Sequence, residues 1–269
     1  MDARESRRAR RVNGPGGGYV PPSPLANWAF RRYFRRLAAK QFTSVRYAML
    51  RDVAGWEPGV PTLFIGNHTT WWDGILAWLL MLELGFTPHV LMEAVNLERY
   101  PAFKWIGVIP VRRDSRRGAY EDLRKAQAYL RPGTGLWIFP QGHRKPALQR
   151  PDRLERGAAQ LVLGAGGGVR VVPVALRYPF LSEQLPEGFA LVGEPWVIAP
   201  DPSRERRALS DALAQRLSAT VDALDTRLAH EDVTGFRMFV DGKRSINKRM
   251  DRLRHQLGFL RGRFEERNG

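Results

Sequence analysis

The chain has no cysteine in its 269 residues, which excludes disulfides, thiolate nucleophiles and cysteine metal sites and is compatible with a reducing compartment. Histidine is scarce too, and the 5 present are scattered with no metal-ligand spacing. Long apolar runs are missing. The longest, Gly74 to Gly85, contains Glu83 and is too short to span a bilayer, and the amino-terminal segment lacks the apolar centre of a signal peptide. A location on the cytoplasmic face of a membrane, peripheral and without a span, is therefore expected. The glycines at 164 to 168 lack the following lysine and serine or threonine of a phosphate loop and are expected to link a helix to a strand. Neither an internal repeat nor a zinc, helix-turn-helix or RNA-binding signature occurs.

Acidic residues are also in short supply, with 27 Asp and Glu against 43 Lys and Arg and a formal net charge of +16. Such an excess suits an anionic membrane surface, an acidic protein or nucleic acid, and charge alone does not choose. Its placement favours lipid. Residues 27 to 42 mix Trp28, Phe30, Tyr33, Phe34 and Leu37 with Arg31, Arg32, Arg35, Arg36 and Lys40 at helical spacing. That is the pattern of an interfacial helix, or of a helix packed on the core with a solvated basic face. No nucleic-acid partner is expected.

With 43% apolar residues the chain can bury one α/β core. The division expected is a basic, glycine- and proline-rich disordered arm at 1–24, a catalytic domain at 25–242 and a basic amphipathic helix at 243–269. The runs at 62–65, 135–139 and 169–176 read as buried strands. Residues 72–84, 116–131, 154–165 and 204–229 read as helices, the last with Leu209, Leu213, Leu217, Val221 and Leu224 on one stripe. The alternation predicts an α/β fold with a mostly parallel central sheet flanked by helices.

Chemistry concentrates at three strand exits. In Phe64-Ile-Gly-Asn-His-Thr-Thr-Trp-Trp-Asp73, His68 falls in the turn after a strand and Asp73 in the first turn of the next helix, with Thr69 or Thr70 to cap it. Only that strand, turn and helix geometry lets two residues five apart meet. An aspartate bonded to one imidazole nitrogen fixes the tautomer and frees the other to take a proton. The plainer alternative is an aspartate that merely favours a helix amino terminus. Trp105-Ile-Gly-Val-Ile-Pro-Val-Arg-Arg113 and Gly135-Leu-Trp-Ile-Phe-Pro-Gln-Gly-His-Arg144 each end a strand-like run in arginine. Because strand carboxyl ends line the crevice of an open α/β sheet, Arg112, Arg113 and Arg144 are placed to converge near His68 with forks suited to phosphate.

Four blocks in order, Asn67-His68-x4-Asp73, Gly107-x-Ile-Pro-Val-x-Arg113, Phe139-Pro-Gln-Gly-His-Arg144 and Val172-Pro173-Val174-Ala175, resemble those of the glycerolipid (lysophospholipid) acyltransferase family over residues 45 to 200. The resemblance implies transfer of a fatty acyl group from a thioester donor, acyl-CoA or acyl carrier protein, to a hydroxyl of a membrane lipid acceptor. It makes His68 the general base and Asp73 its orienting partner. Arg112, Arg113 and Arg144 would hold phosphate or donor groups, and Pro173 would shape the wall, with no metal, cofactor or covalent enzyme intermediate.

The third block departs from the family's usual Phe-Pro-Glu-Gly-Thr-Arg, with Gln141 and His143 in place of the acidic residue and the threonine. Gln141, Gly142 and His143 join Arg144 as expected substrate contacts, and the departure points to an altered acceptor. Lysophosphatidate giving phosphatidate is the default acceptor, and a neutral or glycosylated hydroxyl lipid such as a carotenoid glycoside is the alternative. From another class, a non-catalytic membrane-surface protein on the same scaffold is the remaining rival. Backbone N–H groups after His68 or in the Gly142 turn are candidates for the oxyanion.

Overall fold

The computed structural model describes residues 20–52, 56–57, 59–201 and 203–243. The chain opens with helix α1 (Pro24–Gln41), begun by Ser23, whose hydroxyl accepts the Ala26 N–H at 3.3 Å, and by a proline in the first turn. The next elements are β1 (Ser44–Met49), β2 (Thr62–Gly66), α2 (Trp72–Glu83), β3 (Thr87–Glu93) and α3 (Ala94–Arg99). A 3-10 turn at Pro101–Ile106 leads to β4 (Val108–Val111), α4 (Arg116–Ala126) and β5 (Thr134–Ile138). The series closes with α5 (Gly157–Leu163), β6 (Val169–Arg177), β7 (Glu187–Val192), β8 (Trp196–Ile198), α6 (Arg206–Ala229) and β9 (Arg237–Asp241).

The strands form one sheet in the order β4-β3-β5-β2-β6-β7-β1-β9, with β8 paired to β6. From β4 to β6 every pairing is parallel, and the antiparallel contacts are β6 with β7, β6 with β8 and β1 with β9. The sheet is thus mostly parallel, as its alternating pattern predicts. β2 and β5 are buried at every residue, the signature of central strands covered on both faces.

Alternate strand residues feed two separate cores. Phe64, Trp137, Val172, Val174 and Val108 pack with α1 and α2, whose Phe34, Ala38, Leu76, Trp78 and Leu80 are buried. Leu63, Ile65, Leu136, Ile138, Val171 and Ile109 pack on the opposite face with Ala126 of α4, with α5, and with Leu209, Leu213 and Leu217 of α6. One sheet therefore carries two differently clad faces, and its carboxyl edge lies between them.

Helix α1 packs on the core, one of the two readings its pattern allows. Phe34 and Ala38 are buried, Phe30 packs partly against them, and Leu25, Trp28 and Tyr33 remain exposed. The proposed arm is shorter at its carboxyl end than expected: Pro22 is buried, and the Ser23 N–H donates to the Trp105 carbonyl at 2.8 Å, so the last residues of 1–24 already belong to the fold. Residues 1–19, and all but Lys243 of the carboxyl-terminal helix expected at 243–269, lie outside the described residues.

Candidate active site

His68 leaves the carboxyl end of β2 two residues past Gly66, and Asp73 sits in the first turn of α2. The His68 Nδ1 lies 2.8 Å from Asp73 Oδ2. That oxygen also accepts the Thr69 N–H at 2.5 Å and the Thr70 N–H at 2.8 Å, while Oδ1 accepts the Thr70 hydroxyl at 3.2 Å and the Tyr178 hydroxyl at 2.6 Å. Asp73 is wholly buried, and a buried carboxylate is tolerable only with such a set of donors. With every neighbour donating, Nδ1 must donate as well, which leaves Nε2 as the proton-accepting nitrogen. Desolvation of the Tyr178 hydroxyl, reinforced by the charge of Asp73, raises its pKa well above the ordinary phenol value and keeps it a donor.

The imidazole is held by its surroundings as well as by Asp73. Its ring stacks on Phe139, centroid to centroid 4.4 Å with planes 21° apart, and the His68 carbonyl accepts the Lys145 N–H at 2.8 Å. Asn67 clips the exit of β2 to β6 through two bonds with Leu176, to its carbonyl at 3.1 Å and from its N–H at 2.7 Å. The Thr70 hydroxyl accepts the Trp72 N–H at 3.1 Å just before α2, whose N-cap position is held by Trp71 in place of the threonine the sequence suggests.

Two residues expected to touch substrate are engaged elsewhere. Gln141 is buried, and its Oε1 accepts the His68 backbone N–H at 2.7 Å, so it supports the His68 turn and does not line the cavity. Arg112 also stays out of the cavity. Its guanidinium and backbone N–H bond to Asp122 at 2.8 to 2.9 Å, and Glu121 adds a contact at 3.3 Å, because α4 brings these carboxylates back over the exit of β4. The hydrogen bond from Asp122 heads the causes that raise the Arg112 pKa further above its usual value. Pro173 is buried within β6 beside Ile65 and likewise does not border the cavity.

The others do. Arg113, Gly142, His143 and Arg144 border the same cavity as His68. Arg113 pairs with Glu155 at 2.8 Å, and Glu155 is tied to the third block by its N–H to the Pro140 carbonyl at 2.7 Å. Gly142 has φ +79°, and a Cβ there would run into Glu155 and Arg113, so the turn demands glycine. His143 and Arg144 are exposed, and Arg144 has no ion pair among the described residues. Asn67, Tyr178 and Phe139 are supporting residues for which the sequence assigns no role. Tyr178 carries one usable signal, its place just past the exit of β6, the neighbour of β2.

The cavity has a volume of about 1250 Å³ and crosses the carboxyl edge of the sheet. One end, under α1 and α2, is walled by Phe34, Ile75, Trp78, Phe103, Ile106 and Val108. Phe34 meets Trp78 edge-on at 5.6 Å, and the Trp78 indole N–H is satisfied by the Ile106 carbonyl at 2.9 Å. The other end lies against α4, α5 and α6, where Arg116, Arg156 and Arg206 line it. His68 and Phe139 stand between the two.

An aspartate-supported histidine at the carboxyl edge of a mostly parallel α/β sheet, opening on a cavity apolar at one end and basic at the other, has the geometry to accept a proton from a hydroxyl. The family model described as Acyltransferase matches residues 48–177 of this chain. The chain is 26% identical over 157 residues to a chloroplastic 1-acyl-sn-glycerol-3-phosphate acyltransferase of Brassica napus, covering 55% of this chain and 43% of that protein. It is 27% identical over 161 residues to a lyso-ornithine lipid O-acyltransferase of Pseudomonas aeruginosa, covering 58% of this chain and 56% of that one. With an N-acylphosphatidylethanolamine synthase of Arabidopsis thaliana it shares 27% over 187 residues, 66% and 64% of the two chains. The alignments span between 43% and 64% of the length of these curated relatives. The crystal structure of the 1-acyl-sn-glycerophosphate acyltransferase from Thermotoga maritima superposes with a TM-score of 0.48 at 16% identity, over 76% of this chain and 79% of that one.

Proposed function

We propose that this chain transfers a fatty acyl group from an acyl thioester to the hydroxyl of a lysophospholipid, with 1-acyl-glycerol-3-phosphate as the first acceptor and phosphatidate as product. The observation that carries the reading is the His68–Asp73 pair, joined at 2.8 Å, at the middle of a cavity with an apolar and a cationic end. His68 Nε2 removes the acceptor's hydroxyl proton as its oxygen attacks the thioester carbonyl, and the collapsing tetrahedral adduct expels the thiolate, which takes up that proton. Asp73 keeps Nδ1 protonated and offsets the imidazolium that forms. The amides of His68, Thr69, Thr70, Trp72 and Gly142 are already bonded within the protein, so the N–H groups of Trp71, His143 and Arg144 are left for the oxyanion.

The phosphate of a lysophosphatidate lies close to its free hydroxyl, which matches Arg113 and Arg144 at the strand exits beside His68. Placement of Gln141 beneath the turn removes the reason to link its missing charge to a neutral acceptor. Leu25, Trp28 and Trp105 are exposed, the Ser23 N–H ties the start of α1 to the Trp105 carbonyl, and with the +16 charge these residues suit docking on an anionic membrane. No helix among the described residues is long and apolar enough to cross a membrane.

The test is transfer from labelled acyl-CoA and acyl carrier protein to lysophosphatidate, lyso-ornithine lipid and a neutral hydroxyl lipid. Labelled phosphatidate is expected, with His68→Ala lowering the rate by about 10² to 10⁴-fold while leaving liposome binding intact. Full activity in that variant would sink the mechanism. Label only in another lipid would replace the acceptor.

A further inference from the structure

Three arginines outside all four motif blocks line the cationic end of the cavity. Arg116 opens α4, Arg156 immediately precedes α5, and Arg206 opens α6. All three border the cavity and are exposed, and none has an ion pair or side-chain hydrogen bond among the described residues. Of the acidic residues bordering the same cavity, Glu155 is committed to Arg113, and Glu93 accepts from Asn96 at 3.4 Å. A cation in the first turn of a helix opposes the macrodipole, so Arg116 and Arg206 lie where the protein itself disfavours positive charge. Three guanidiniums without a protein partner among the described residues, presented to one cavity by three separate helices, keep their donors free for an anion.

We propose that Arg116, Arg156 and Arg206 form a second anion subsite that binds the phosphate borne by the pantetheine arm of the thioester donor. The assignment rests on the acyl-transfer reading above. An acceptor phosphate lies beside the hydroxyl it accompanies and so falls to Arg113 and Arg144. A donor phosphate is separated from its thioester by the whole pantetheine arm. It therefore needs cations set back from His68 on the other face of the sheet, where α4, α5 and α6 present these three. The same chemistry serves a nucleotide-linked or a carrier-linked arm, because both join pantetheine through phosphate.

Calorimetric binding of coenzyme A, holo-acyl carrier protein and plain pantetheine to the native chain and to the triple variant Arg116→Ala/Arg156→Ala/Arg206→Ala tests the proposal without turnover. Exposed sites make the variant tolerable to the fold, and a triple lysine variant checks that charge is what matters. At least a tenfold loss for coenzyme A or for the carrier protein, with pantetheine unchanged and partial recovery by lysine, is expected, and the arm that responds names the source. Equal binding of both probes by the native and alanine proteins, or no binding by the native one, would overturn it. Steady-state transfer should show a raised donor KM with kcat and acceptor KM held. Arginine-dependent binding in a protein that transfers nothing would support the subsite and reject the acyl-transfer reading instead.

Discussion

The two ends of the cavity lie on opposite faces of one sheet and differ in how they are made. Under α1 and α2, aromatic and aliphatic side chains that are part of the core, such as Phe34, Trp78 and Ile106, also serve as the cavity wall. Against α4, α5 and α6 the wall includes solvent-facing arginines that contribute nothing to packing. The first end is rigid because the fold needs it, and the second is free to vary because the fold does not. His68 stands where they meet, fixed by Asp73, Gln141 and Phe139.

Asp73→Asn breaks the shared centre and should have the largest effect. An asparagine with its oxygen at the Oδ2 position keeps the bonds from His68, Thr69 and Thr70, and its NH2 faces Thr70 and Tyr178 oxygens that can accept. The tautomer survives while the charge that stabilises imidazolium is lost, so kcat should fall roughly 100-fold with melting temperature little changed. An unchanged kcat would mean that Asp73 serves only to build the turn.

Arg144→Ala disturbs the cationic side near His68. A charged hydrogen bond lost from an exposed site is worth about 1.5 kcal/mol, so the KM for a phosphate-bearing acceptor should rise roughly tenfold while that for a neutral acceptor stays. Gly74→Leu works from the α2 side. A Cβ at Gly74 meets no atom within 4 Å and the residue borders the cavity, so leucine should protrude into the space without harming the helix. Transfer of long acyl chains should drop a few-fold relative to short ones, with stability held or raised by about 0.5–1 kcal/mol on removing a helical glycine.

His89 should leave transfer at pH 7 unaffected. It is buried in β3, and burial lowers its pKa from 6.5 to about 4. The unfolded chain therefore takes up this proton first. The stability is fully present above pH 6.5 and is lost as pH falls from 6.5 towards 4, by about 3 kcal/mol in all. Urea unfolding of His89→Leu should show a flatter acid slope than the native chain. A matching slope would relocate the acid sensitivity.

Much of the parallel half of the molecule is legible in the sequence. β2, α2, β5, β6 and α6 appear within a residue or two of their periodic patterns, because buried strands and one-sided helices write local signals. The far half is not. β1 pairs with β7 and β9, partners more than 140 residues away in sequence at the Ser44 to Glu187 register, and no local period encodes that choice. The run at 105–111 divides at Gly107, whose φ of +86° ends a 3-10 turn before β4 begins. In the site, His68 and Asp73 are readable because their separation is short and their geometry follows from strand, turn and helix. The engagement of Arg112 with Asp122 and of Gln141 with the His68 amide is not readable locally, because only packing brings these groups near. Arg116, Arg156 and Arg206 carry no motif and look like ordinary surface charge until three helices set them on one cavity.

The most direct measurement is photocrosslinking of a fatty acyl thioester with a diazirine at the chain terminus, mapped by mass spectrometry on the native chain. Adducts on Phe34, Trp78, Phe103 or Ile106 are expected, placing the acyl chain under α1 and α2 with His68 at its head. Adducts confined to α4, α5 and α6 would reverse the cavity and contradict the account.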